Sequence, residues 1–348
     1  MKTRELNFEL LRILAMLMVL GLHANFMVFK TPAPQDIMAA GALTRIFFQC
    51  ACIVAVNVFV MISGWFGIKA SMRGFCNFMW QVIYIVGLVW IVGVLFFNVP
   101  VNYKTILAIF GLYGGGGWFV ASYIGLYIIS PVLNRYIADT APRKIALMLL
   151  AFFTFELLWG NTLSVEFVVG GYSTFSFIGI YILAGLLRKL SLKYSHRFWL
   201  FIFLLTVVCN SVMCAIVIKA GIASVAQPVL LNYISPLVIT GAASLLLTFS
   251  KISISSRIPA VSRGILWLSA SCFAAYLIHC GGGFYALKLY TDGVAYIADA
   301  LPAGLEIIGV VGYIICVFLA AVLIDQPRRL IWNRVLLPLF NRKKVIHA

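Results

Sequence analysis

Asn7-Phe-Glu9-Leu-Leu-Arg12-Ile-Leu-Ala-Met-Leu-Met-Val-Leu-Gly-Leu-His23 lies in an apolar run that extends to about residue 29. A helix of about 20 apolar residues crosses the roughly 30 Å hydrocarbon core of a bilayer, and this run is long enough to do so. It differs from an ordinary lipid-facing helix in carrying an acid, a guanidinium and an imidazole. At 100° per residue, Arg12 and His23 are three turns and only about 20° apart. Glu9 precedes Arg12 by three residues, a spacing that lets the two pair on one face. One stripe of the helix therefore holds all three groups. Arg12 and His23 are separated by roughly 16 Å along the axis, which puts them at different depths.

The rest of the chain repeats the pattern of apolar runs. Of 348 residues, 63% are hydrophobic and 10% charged, and the mean hydropathy is +1.05. A soluble domain carries roughly 25% charged residues to face water. Too few charges are present here to cover a globule, so the sequence reads as an all-α, polytopic integral membrane protein. Ten spans are expected, at about 8–29, 46–68, 76–98, 118–138, 144–160, 172–189, 197–218, 229–249, 264–290 and 304–326. The apolar segment 104–117 is too short to cross and reads as a re-entrant or interfacial piece. No repeat, low-complexity tract or soluble domain is evident, and residues 1–348 read as a single domain. After the tenth span only a short basic tail, 328–348, is expected, with no fused extracytoplasmic domain. The first run exceeds the apolar core of a secretory leader and lacks a small-residue cleavage site. The eight cysteines fall mostly inside apolar runs, where cysteine acts as a small hydrophobe.

The charge pattern tests this topology. With a cytoplasmic N-terminus, 20 of the 26 Lys and Arg residues fall in cytoplasmic segments and five (Lys30, Arg45, Lys104, Lys219 and Lys288) fall outside, leaving Arg12 in the membrane. Basic residues accumulate on the cytoplasmic side of membrane proteins. Both termini are therefore expected to be cytoplasmic. The net charge of +16 is a topology signal and not a nucleic-acid footprint.

Ionisable groups at membrane depth are costly and mark functional sites by default. Arg12 falls near the cytoplasmic face, where snorkelling is the ordinary alternative. His23 falls in the outer half, where an interhelical hydrogen bond is the alternative. His279, in Tyr276-Leu-Ile-His279, is expected at a similar depth to His23, and Tyr276 lies one turn below it. Glu156 also falls in the outer half. The span that begins at Trp118 places Tyr123 and Tyr127 one turn apart, suited to lining one cavity. The glycines at 114–117 read as a flexible turn and those at 281–283 as a helix break or a point of close packing. No metal-ligand spacing, nucleophile elbow or dinucleotide-binding pattern is present.

Five segments, taken in order, resemble the membrane-bound acyltransferase-3 family, bacterial proteins that O-acylate cell-surface carbohydrates. They are Glu9-x-x-Arg12 with His23, Phe59-Val-Met-Ile-Ser63-Gly64-Trp65, Trp118-Phe-Val-x-x-Tyr123 through Ser130-Pro131, Tyr276-Leu-Ile-His279, and Asp325-Gln-Pro327. Glu9 stands where many members have Asp, Trp65 where Tyr is commoner, and Asp325 where Glu precedes x-Pro. The arginine-rich segment usual after the second span is reduced to Lys69 and Arg73.

The resemblance implies transfer of an acyl group, typically acetyl from acetyl-CoA, to a hydroxyl of a lipid-linked sugar or polysaccharide. It implies a multi-pass protein of the bacterial inner membrane that needs no metal. Its acyl-CoA cosubstrate is expected at Glu9, Arg12 and Arg73, and its acceptor at Trp118, Tyr123, Tyr127 and Tyr276. His23 is the expected general base, with His279 and then Glu156 as rivals. An imidazole titrates near pH 6.5 and suits the deprotonation of a sugar hydroxyl. A guanidinium suits the phosphates of CoA. A transporter of polysaccharide or lipid-linked intermediates is the competing class, since intramembrane His, Glu and Arg also build substrate pathways. The absence of two related halves counts against it. An inactive partner of a glycan assembly complex is a third reading.

Overall fold

A computed structural model of the chain describes residues 5–39, 41–112, 117–160, 167–254, 258–281, 284–302 and 305–342. The first four residues, most of the glycine run at 114–117, Gly282, Gly283, Arg257 and the tail beyond 342 lie outside that set. The described residues form helices and no strand. In chain order these are α1 (Leu6–Phe29), α2 (Ala42–Cys52), α3 (Ala55–Phe66), α4 (Met72–Phe97), α5 (Tyr103–Ile109), α6 (Gly117–Asp139), α7 (Pro142–Phe155) and α8 (Thr174–Leu190). They continue with α9 (His196–Lys219), α10 (Ala223–Leu230), α11 (Pro236–Ser250), α12 (Pro259–Ser269), α13 (Cys272–Cys280), α14 (Phe284–Ala300), α15 (Glu306–Ile331) and α16 (Leu337–Arg342).

Among the described residues, seven helical stretches are long and apolar enough to cross a membrane, and α11 is a shorter apolar helix. The chain is an all-α polytopic membrane protein, as its composition predicts. All ten expected spans coincide with helical segments, but α7, α8 and α11 are short, at 14, 17 and 15 residues. The short α5 lies in the first half of the segment read as re-entrant or interfacial.

The ninth span departs from expectation. Expected as one span over 264–290, its residues fall in α12, α13 and the start of α14, with α12 and α13 separated at Ala270 and Ser271. The Ser271 side chain caps no backbone N–H of α13; its hydroxyl donates to Asp325 Oδ2 at 2.7 Å. Beyond the glycines at 281–283, α14 runs past the expected end of that span to Ala300. That helix carries Asp292, Asp299 and an exposed Lys288–Asp292 pair, so it does not register as an apolar run.

The chain forms two compact units. The first comprises Met1–Ile68 and Ser122–Ser269. Within it, α1 packs against α2, α3, α11 and α12, α3 packs against α8 and α11, and α9 packs against α2, α10 and α11. Gly64 explains the intimacy of α3 with α8. A Cβ there would lie 2.3 Å from the Tyr181 carbonyl oxygen, so only glycine admits the approach. Pro131 sits inside α6, where its missing N–H leaves the Tyr127 carbonyl without its helical donor. Ser130 Oγ donates to that carbonyl at 2.8 Å, which keeps the backbone satisfied at membrane depth.

The second unit comprises Lys69–Ala121 and Ala270–Ala348. Here α4 packs against α5, α13, α14 and α15, and α13 packs against α14 and α15. Trp80 on α4 donates its indole N–H to the Arg328 carbonyl at 3.3 Å. Beyond Ile331 the chain continues through one π turn, Trp332–Leu336, into α16, so the basic segment after Pro327 is helical as far as Arg342.

Candidate functional site

The predicted site residues fall in both units, and each group is built within its own. In the first unit, the start of α1 is fixed by Phe8, whose ring lies 5.7 Å from Trp65 and 4.9 Å from Phe66. Asn7 adds a hydrogen bond to the Phe249 carbonyl at 2.8 Å. This anchoring orients the next turn, where Arg12 Nη1 donates to Glu9 Oε1. The Glu9 side chain is 4% exposed and that of Arg12 31%. A buried carboxylate thus holds a guanidinium that still faces the surroundings, so Arg12 retains donors for an anionic ligand.

Tyr123 joins this group. Ser63 Oγ donates to the Phe59 carbonyl at 3.2 Å, so the Tyr123 hydroxyl, 3.3 Å from Ser63 Oγ, is the donor of that second bond. Arg12 and Tyr127 both lie within electrostatic reach of the Tyr123 hydroxyl. The end of α3 is braced from two further helices. Arg188 on α8 donates to the Trp65 carbonyl at 2.7 Å and lies over the Phe66 ring. Tyr181 accepts from the Ile68 N–H at 2.7 Å and donates to Asn134 Oδ1 at 2.6 Å. Asn134 closes the circuit by donating to the Ile68 carbonyl at 2.9 Å. The Ser63-Gly64-Trp65 segment is therefore a rigid floor beside Arg12, with a second guanidinium at its far edge.

His23 lies on the same uninterrupted α1 and is half-buried. Glu156 is buried on the π turn Glu156–Gly160 that continues α7, and Ser176 of α8 donates to its Oε1. The neighbouring Phe155, Phe167 and Phe175 form an aromatic cluster.

In the second unit, Trp118 adjoins Phe119, whose ring lies 5.5 Å from Tyr276; Tyr276 lies 6.0 Å from His279. The expected acceptor residues Trp118 and Tyr276 and the imidazole of His279 therefore form one chain of rings. His279 is 2% exposed, and its Nδ1 is 2.6 Å from the Ala275 carbonyl. A carbonyl only accepts, so Nδ1 carries the proton and the lone pair of the neutral ring resides on Nε2. Arg73 is exposed in the first turn of α4. Asp325, fully buried, accepts from Arg328 Nε at 2.6 Å, from Arg328 Nη2 at 3.0 Å and from Ser271. This cluster ties α15 to the residue that precedes α13, eight positions before His279.

Arg188, Asn134 and Tyr181 were not singled out by sequence reasoning. Arg188 counted as a topology charge, and nothing local distinguishes a cation that braces a neighbouring helix from one that only faces the cytoplasm. The signal for Asn134 and Tyr181 was their polarity within apolar runs.

The first unit thus presents, on one uninterrupted helix of a polytopic membrane protein, a guanidinium paired with a buried carboxylate and an imidazole three turns further along. The family model of the acyltransferase-3 acyltransferase domain matches residues 5–325, and the chain belongs to that family. It is a membrane acyltransferase. Neither a curated protein nor a solved structure matches the chain.

Proposed function

We propose that this acyltransferase moves an acyl group, acetyl in the simplest case, from acyl-CoA to a hydroxyl of a cell-surface polysaccharide or lipid-linked sugar, at the bacterial inner membrane. The observation that carries this reading is α1. One unbroken helix presents a Glu9-anchored, partly open guanidinium and, about 16 Å further along nearly the same face, an imidazole.

In this reaction Arg12 binds CoA phosphate through its planar fork, with Arg73 as a further cation for the donor. His23 takes the proton of the acceptor hydroxyl as its oxygen bonds to the thioester carbonyl carbon. The carbon–sulfur bond then breaks, and the sulfur leaves as CoA, recovering a proton from the imidazolium. Tyr123, Tyr127, Tyr276 and Trp118 offer hydroxyls, an indole N–H and ring faces to the sugar. His279 and Glu156 serve the acceptor side without taking the proton.

The test is release of free CoA thiol from acetyl-CoA by the purified protein in lipid nanodiscs, with and without an acceptor glycan. Acceptor-dependent thiol release that is lost in Arg12→Ala and His23→Ala supports the assignment. Movement of the glycan across the bilayer without thiol release would establish a transporter instead.

A further inference from the structure

We infer that Arg188 is a second phosphate contact for the donor and binds the 3′-phosphate of CoA, at the edge of the floor beside Arg12. The inference rests on the acyl-CoA reading above and extends its donor site within the first unit. Arg188 lies in the last turn of α8 and is exposed. Its position is nevertheless set. Nη1 donates to the Trp65 carbonyl at 2.7 Å, and the guanidinium carbon lies 5.9 Å from the centre of the Phe66 ring. The Trp65 carbonyl belongs to the last turn of α3, where helical carbonyls lack a donor of their own.

The neighbouring cation shows what a brace alone looks like. Lys189 Nζ donates to the carbonyls of Ile137, Ala138 and Thr140 at 2.8–3.0 Å, which uses every N–H of an ammonium. Arg188 spends one N–H of its fork on Trp65 and keeps the others. Its charge is also uncompensated. Among the described residues, Arg12, Arg135 and Arg328 pair with carboxylates, and Arg188 pairs with none. A fixed guanidinium with open donors is preorganised for a phosphate, which it can hold through two parallel bonds.

Depth assigns the phosphate. The Phe8 ring packs against Trp65 and Phe66 at 5.7 and 4.9 Å, so the start of α1, the end of α3 and Arg188 share one layer. Arg12 lies four residues beyond Phe8, about 6 Å further along α1 toward His23. CoA carries its phosphates in the same order. The diphosphate adjoins the pantetheine arm that ends in the thioester, and the 3′-phosphate lies one ribose further away. With the thioester directed toward His23, the deeper Arg12 meets the diphosphate and Arg188 the outer 3′-phosphate.

The experiment compares three donors in the nanodisc thiol-release assay with one fixed acceptor glycan. They are acetyl-CoA, acetyl-dephospho-CoA, which lacks the 3′-phosphate, and S-acetylpantetheine, which lacks every phosphate. A charge-assisted contact is worth about tenfold to a hundredfold in KM, and the native protein should favour acetyl-CoA over acetyl-dephospho-CoA by that factor. Arg188→Gln should abolish this preference by raising the KM of acetyl-CoA alone. Arg12→Gln should raise the KM of both nucleotide donors and keep their ratio, which separates the two cations. Arg188→Lys can still donate to Trp65, so it tests the phosphate contact if the Gln variant does not fold. It should narrow the preference without moving the KM of S-acetylpantetheine. An equal loss with all three donors means that Arg188 only braces α3. A native protein indifferent to the 3′-phosphate, or a ratio unchanged in both Arg188 variants, means that the residue is only a topology charge. Each of these results overturns the assignment and leaves the acyl-CoA reading intact. Absence of thiol release from every donor with the native protein overturns that reading itself.

Discussion

Replacing Asp325 by Ala is the severest single change predicted for the second unit. The Asp325 side chain is 0% exposed and that of Arg328 5%, and the carboxylate also accepts from Ser271. Removing the carboxylate leaves a buried guanidinium without its counter-charge, a loss of about 3–5 kcal/mol. At 1.4 kcal/mol per tenfold, the folded-to-unfolded ratio falls by roughly two to three and a half orders of magnitude. The Arg135–Asp139 pair provides the internal control. Its side chains are 83% and 56% exposed, and Asp139→Ala should cost only about 0.3–0.5 kcal/mol. The combined Asp325→Leu and Arg328→Met variant replaces the ion pair by apolar groups and should recover most of the loss. The assay is reversible unfolding of the purified protein in mixed detergent micelles, followed by circular dichroism. A loss below about 1 kcal/mol for Asp325→Ala, or a double variant no better than the single one, would refute burial as the source of the effect.

Arg12→Lys keeps the charge but not the fork, and losing a charge-assisted hydrogen bond, about 1.5–3 kcal/mol, should raise the donor KM about tenfold to a hundredfold; an unchanged donor KM in folded protein rules the role out. His23→Gln keeps hydrogen bonding without basicity and should lower kcat by about 10²–10⁴; near-native turnover would transfer the role to His279, or after it to Glu156. Tyr123→Phe and Tyr276→Phe should change acceptor KM more than donor KM, whereas equal shifts in both would mean that the rings only pack. Both termini should be cytoplasmic, so a cysteine placed at Ala348 should react with an impermeant thiol reagent only after the cells are opened.

The membrane class was legible because lipid leaves a helix few choices: runs near 20 residues must close their hydrogen bonds internally. The Glu9–Arg12 pair was legible for the same reason, since i, i+3 spacing on a helix is a local property. Two features were not. At the interruption before Cys272, Ser271 bonds to Asp325, 54 positions away, and no window around Ser271 contains that partner. The bracing of Ile68 by Tyr181 and Asn134 similarly joins three helices, and each partner alone reads as an isolated polar residue. Local periodicity therefore found the helices, while the contacts that fix their ends came from residues distant in the chain.

The short helices of the first unit carry a consequence for the bilayer around them. With 15 residues, α11 is about 22 Å long, and α8 with 17 is about 25 Å, against a hydrocarbon core of roughly 30 Å. Helices shorter than the core draw the lipid surfaces together or recruit polar flanks to fill the gap, at a cost per ångström of mismatch. Here more than half of each helix is buried against its neighbours in the first unit, so packed protein and not lipid flanks most of the shortfall.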